Sequence, residues 1–175
     1  MNQKKNTEQN PEEKRESLAE ETIRGLIRRA KEAQENAYAP YSHYRVGAAL
    51  LCSDGSVVKG CNIENASYGA ANCAERTAVF AAVAQGKREF SALALVAGPE
   101  KTQKETKEED GNQETEKEME LPLRYPSPCG ICRQVLREFA RPSDFPVIMA
   151  LSETDYRIRT LEELLPDSFG PEDLS

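Results

Sequence analysis

Two short cysteine motifs constrain this chain more than any other feature: Asn72-Cys73-Ala74-Glu75-Arg76-Thr77 and Pro128-Cys129-Gly130-Ile131-Cys132-Arg133. They lie far apart in sequence, so a fold that uses them together must bring two segments to one place. On a helix, positions i and i+2 point to different sides, so Cys73 and Glu75 cannot share a mid-helix face. They converge only where a helix begins and its first turn wraps a site. The run Ala78 to Ala84 supports a helix start there. Cys129 and Cys132, spaced i and i+3, share one face of an opening turn, and Pro128 just ahead suits a second helix start.

A helix N-terminus carries partial positive charge, which lowers a thiol's pKa. Two such ends facing each other offer three thiolates to one cation. Zinc suits that ligand set, whereas magnesium and calcium want oxygen. The expectation is therefore one Zn2+ per chain, held by Cys73, Cys129 and Cys132. Three protein ligands leave a fourth tetrahedral position for water, whose pKa falls from about 16 to about 7 in such sites. Glu75 stands beside the ligands, placed to carry that water's proton. Three thiolates on a divalent ion leave one excess negative charge, and Arg76 is the nearest cation to balance it. The competing reading is a structural zinc site with four protein ligands, completed by Cys52 or Cys61. Cys52 falls within an apolar run and reads as a small core residue.

The 175 residues suit one domain with a real core, although only 38% are apolar and Trp is absent. The net charge of −7 is unevenly spread, because Glu100 to Glu120 holds nine acidic and four basic residues. No basic patch marks a nucleic-acid partner. The five cysteines are odd in number and spaced as metal ligands more than as disulfide partners. With no apolar signal region and no run of 18 apolar residues, the chain reads as cytoplasmic, without a membrane span.

In chain order, residues 1–16 form a polar, disordered tail, and 17–175 the catalytic domain. Ser17 to Glu20 reads as a capping box opening an amphipathic helix to about Asn36. Val46 to Cys52 and Val57 to Cys61 form a hairpin about Asp54-Gly55. The Cys73 helix, apolar nearly all round and ended by Gly86, should be buried on most faces. Ala92 to Ala97 reads as a strand buried on both faces. The acidic stretch at about 100–120 is a disordered insert, too polar to pack. A third helix follows the cysteine pair and is stopped by Pro142. Strands at Val147 to Leu151 and Tyr156 to Thr160 and a helical turn at Leu161 to Leu165 come next, and Phe169-Gly170-Pro171 closes the ordered chain. The sum is an α/β protein, a single three-layer domain with a mixed five-stranded sheet covered by helices on both faces.

The combination C-A-E-R and P-C-G-x-C-R-Q resembles the zinc-dependent cytidine deaminases of the short, three-cysteine type. The likeness spans Leu18 to Leu174 apart from the insert. It implies a cytidine deaminase-like fold and a homotetramer acting on a small nucleoside. The implied reaction converts cytidine and 2′-deoxycytidine to uridine and 2′-deoxyuridine with release of ammonia, a step of pyrimidine salvage. It also implies roles for individual residues. Glu75 acts as base and then acid, and the Ala74 N–H holds the ring carbonyl oxygen. Asn62 and Glu64, in N-x-E, hold the ribose hydroxyls. Tyr44 stands where the family usually has a Phe flanking the base or sugar. Phe169 reaches a neighbouring subunit's pocket and stacks on the pyrimidine. His43, the only histidine, lies outside these motifs and reads as a loop or packing residue. Rival readings are deamination of a nucleotide, an antibiotic nucleoside or polynucleotide cytosine, and a non-enzymatic zinc-stabilised interaction module. The acidic balance counts against a polynucleotide, and the sequence offers no phosphate-binding cluster.

Overall fold

The computed structural model describes residues 18–100 and 124–174. The tail at 1–16, Ser17 and the insert beyond Glu100 lie outside the described residues. Helix α1 spans Glu20–Gln34 and buries Ile23, Leu26, Ile27, Ala30 and Ala33, the spacing that a helix needs to present one apolar face. Its N-cap is Ala19, which makes no side-chain cap, so the start lies later than the Ser17 box implies. It ends short of Asn36, because Asn36 and Ala37 turn back to the carbonyls of Ala33 and Gln34, both at 3.1 Å.

Strands β1 (Tyr44–Cys52) and β2 (Val57–Cys61) form the expected hairpin, with Gly55 in the left-handed region at φ 83°. Helix α2 covers Ala74–Ala84, and Gly86 leaves it at φ 82°. Strand β3 runs Phe90–Pro99, longer at both ends than its apolar core. It pairs with β1 along its length, from Tyr44 opposite Pro99 to Cys52 opposite Phe90. Helix α3 spans Gly130–Phe139, strand β4 Pro146–Ala150 and strand β5 Tyr156–Thr160. The short helix α4, Leu161–Leu164, opens on a full capping box between Thr160 and Glu163.

The sheet order is β2-β1-β3-β4-β5. Only β3 and β4 run parallel, and the other three neighbouring pairs are antiparallel. Each face has its own core. One packs Ile23, Leu26 and Ile27 of α1 against Ala49, Ala92, Ala94 and Ile148. The other packs Ala74, Ala78, Val79 and Ala82 of α2, with Leu136 of α3, against Leu50, Leu93, Leu95 and Val147. The expected layers are thus in place. The ordered chain does not close at Pro171, since Pro171–Leu174 form a further 3-10 turn. Polar contacts hold that turn: the Gly170 N–H donates to Asp173 Oδ2 at 2.7 Å, and Arg137 pairs with Glu172.

Candidate active site

Both cysteine motifs sit at helix starts. Cys73 is the N-cap of α2 and Cys129 the N-cap of α3, with Cys132 in the first turn of α3. Neither N-cap side chain bonds its own helix, so both sulfurs are free to turn toward each other. Cys73 Sγ lies 4.0 Å from Cys129 Sγ, which lies 3.4 Å from Cys132 Sγ. All three sulfurs fall within 4.8 Å of one another. Zinc–sulfur bonds of about 2.3 Å at tetrahedral angles place sulfurs roughly 3.8 Å apart, so the donor set fits zinc. Cys52 and Cys61 are not in the cluster. Cys52 is buried in β1, and Cys61 donates to the Asn36 carbonyl at 3.4 Å.

The electrostatics follow from that crowding. A hydrogen bond from Cys132 and then the Arg76 guanidinium bring the Cys73 thiol down to about 5. Cys132 moves the opposite way, because it holds the shared proton against Cys73 and is buried. A cation entering the trio would displace that proton. Arg76 Nη2 sits 3.6 Å from Cys73 Sγ and donates to the Ala71 carbonyl at 3.2 Å, where it can offset excess thiolate charge. Glu75 is only 5% exposed, and burial pushes its carboxyl above the usual range. A raised carboxyl in a cleft is suited to moving protons near neutral pH.

Cys73, Ala74, Glu75 and Cys129 line a cleft of about 450 Å³ together with Tyr44, Asn62 and Glu64. The segment carrying Asn62 and Glu64 is tied to the cysteine motif by the bridges Tyr38–Ile63 and Ile63–Asn72. Glu64 Oε2 accepts from the backbone N–H groups of Tyr41 and Ser42 at 2.9 and 3.2 Å. Hydrogen bonding from Ser42 and Tyr41 holds this carboxyl below its ordinary range, so it faces the cleft as an acceptor. Asn62 is busier than its motif implies. Its Oδ1 accepts from Val46 N at 2.8 Å, and its Nδ2 donates to the Tyr44 carbonyl at 2.9 Å. One lone pair and one N–H remain for a ligand. Phe169 does not line this cleft; it is 57% exposed. His43 lies in the loop before β1 with φ 53°, its ring facing Glu100 at 3.6 Å.

Three supports have no counterpart in the motif reading. Asn72 Nδ2 donates to Thr77 Oγ1, which donates to the Cys73 carbonyl, both at 3.1 Å, bracing the start of α2. Both residues are the ends of the first cysteine motif, so their polar side chains beside a helix start are the signal that could have found them. Tyr125 lines the cleft, donates to Asp155 Oδ1 at 2.6 Å and lies under the Arg157 guanidinium, 4.7 Å from the ring centre. Arg133 ties the start of α3 to its surroundings, with Nε donating to the Pro128 carbonyl at 2.7 Å and Nη1 to that of Leu164 at 2.6 Å. No spacing signal reveals the last two, because Asp155, Arg157 and Leu164 lie far away in sequence.

Comparison with known proteins agrees with this geometry. Residues 20–149 match the family described as the cytidine and deoxycytidylate deaminase zinc-binding region. The chain is 44% identical over 153 residues to a cytidine deaminase of Sporosarcina psychrophila, covering 87% of this chain and 95% of the relative. It is 45% identical over 150 residues to one from Halalkalibacterium halodurans, covering 86% and 96%. Among solved structures it is similar to cytidine deaminase from Burkholderia pseudomallei, with a TM-score of 0.66, 42% identity, and coverage of 83% of this chain and 97% of that one.

Proposed function

The chain belongs to the family of cytidine and deoxycytidylate deaminases and is a zinc-dependent cytidine deaminase, and on that premise we propose roles for its residues. The three clustered sulfurs are the observation that carries the reading. Cys73, Cys129 and Cys132 hold one Zn2+ per chain. When bound, zinc acts as a Lewis acid that makes water a competent nucleophile near neutral pH. Glu75 does the proton work. It takes a proton from the attacking water and passes it to N3 of cytosine, which makes C4 electrophilic. It then takes the second proton of that water, from the hydroxyl now on C4, and delivers it to the departing amine as the C4–N bond breaks, so cytidine and water become uridine and ammonia. Its burial supports this cycle, since a carboxyl raised above its ordinary range both accepts and returns a proton.

The remaining groups bind. Glu64 and the free valences of Asn62 take the ribose hydroxyls, and the Ala74 N–H takes the ring carbonyl oxygen. Tyr44 flanks the substrate from the wall of the cleft. Arg76 balances the thiolates. 2′-Deoxycytidine is a second substrate, because Asn62 and Glu64 offer more contacts than one hydroxyl needs. The active form is a homotetramer in which an exposed Phe169 stacks on the pyrimidine bound by a neighbour. The enzyme serves pyrimidine salvage in the cytoplasm; among the described residues no helix is long and apolar enough to cross a membrane.

The test is ultraviolet-monitored turnover of a panel: cytidine, 2′-deoxycytidine, deoxycytidine monophosphate, cytosine, an antibiotic nucleoside and a single-stranded oligonucleotide. We expect the two nucleosides to turn over fastest and a zinc chelator to abolish the signal. A chelator-insensitive rate, or a preference for the monophosphate or oligonucleotide, overturns the assignment.

A further inference from the structure

Phe169 is exposed, yet its backbone is held tightly by α3. Gln134 Nε2 donates to the Phe169 carbonyl at 3.0 Å. On one side, Arg137 Nε donates to Ser168 Oγ at 3.0 Å. On the other, the same guanidinium pairs with Glu172. Arg137 is only 8% exposed, and a buried charge is tolerated only when it is paired and hydrogen-bonded. Gly170 lies against it so closely that a Cβ would overlap the guanidinium. The planar fork of an arginine fixes direction as well as distance. A loop that merely ended the chain would need none of this. The side chain left pointing outward from the clamp is the Phe169 ring.

We propose that Arg137, with Gly170 against it, is a positioning residue that sets the direction in which Phe169 is presented to the cleft of a second copy of this chain. This rests on the reading of Phe169 as a base-stacking group given above. Arg137 also lies on the helix that carries Cys132, more than one turn further along, so effects on the metal and on the hook can be told apart.

The experiment compares Phe169→Ala, Arg137→Met and Gly170→Ala as purified holoenzymes, reading KM, kcat and zinc per chain. Losing a ring from a base stack raises KM by roughly tenfold. The two clamp variants raise KM by about fivefold, with kcat within about twofold of wild type and zinc content unchanged. Each clamp variant is then co-expressed with an excess of Glu75→Ala chains. In those mixed assemblies every active cleft belongs to a clamp variant and most meet a hook from a Glu75→Ala neighbour, so KM returns toward the wild-type value. A KM that stays high in the mixture places the defect in the variant's own cleft and overturns the proposal. If Phe169→Ala has a normal KM, the base-stacking reading fails. If Phe169→Ala raises KM while both clamp variants leave it unchanged, only the clamp fails. Should Arg137→Met give no soluble protein, Gly170→Ala, which keeps every hydrogen-bonding group, carries the same test.

Discussion

On one face of the sheet α1 lies so close to β1 that a Cβ at Gly47 would collide with the Ala30 carbonyl and stand 2.9 Å from Gln34 Cβ. On the opposite face α2 approaches β2 equally closely, and a Cβ at Gly60 would collide with the Ala74 carbonyl and the Ala78 amide. The two contacts are alike in packing and differ in what the helix carries. Among the described residues, the fully buried side chains of the α1 face are aliphatic, around Ile23, Leu26 and Ile27. The α2 face buries Ala74 and Glu75 at the helix start, beside Cys73. One close approach therefore holds a core together, while the other also sets the distance between a carboxylate and three sulfurs.

The largest expected effect tests the chemistry of the α2 face directly. Glu75→Ala should lower kcat by about a thousandfold or more while zinc remains at one per chain by metal analysis. Removal of Cys132, the buried sulfur of α3, should act further upstream: Cys132→Ala loses zinc, and turnover falls with it. Readdition of zinc restores chelated wild type but not this variant.

The two glycines sharpen the contrast. Gly47→Ala and Gly60→Ala should each destabilise the fold by about 1–3 kcal/mol in urea unfolding, because both overpack a tight helix–strand contact. Only Gly60→Ala should also lower kcat, by roughly tenfold or more, since it moves the start of α2. Equal kcat values for the two folded variants would remove the distinction between the faces.

The smallest effect lies away from both faces, in the hairpin turn. Hydrogen bonds from Lys87 and then Ser56 hold the Asp54 carboxyl well below its usual range. A depressed carboxyl contributes stability above its unfolded pKa of about 4, and that contribution fades as pH falls toward the folded value. Asp54→Asn should thus lower Tm slightly at pH 7, with the gap to wild type narrowing below about pH 4. Turnover at pH 7 should not change.

Much of this was legible because it is written in local spacing. The i, i+3 cysteines and the Gly55 and Gly86 turns each depend on neighbours a few residues away, whereas the burial expected on most faces of α2 fails at Phe80, which is 48% exposed. What escaped depends on distant partners. The ends of β3, Phe90-Ser91 and Gly98-Pro99, break the continuous apolar run in sequence and are strand where β1 lies alongside. Asn62 reads as a ligand for hydroxyls, yet half of its hydrogen-bonding capacity braces β1. Tyr125 gains its place in the wall from Asp155 and Arg157, which belong to β5 and the turn before it. The final turn at Pro171–Leu174 is held by Arg137, a residue of α3 far from it in sequence.

The like direction of β3 and β4 has a chemical consequence. Each strand is entered from the helix before it through a short connection, so each helix runs back across the sheet in the sense opposite to the strand that follows it. Because the two strands point the same way, both helices must begin at the same rim of the sheet. Reverse β4 and the second pair of thiols would be carried to the far rim, a strand's length from Cys73, with every residue of both motifs intact. Strand polarity, a property of the backbone alone, is what makes a shared metal geometrically available to these side chains.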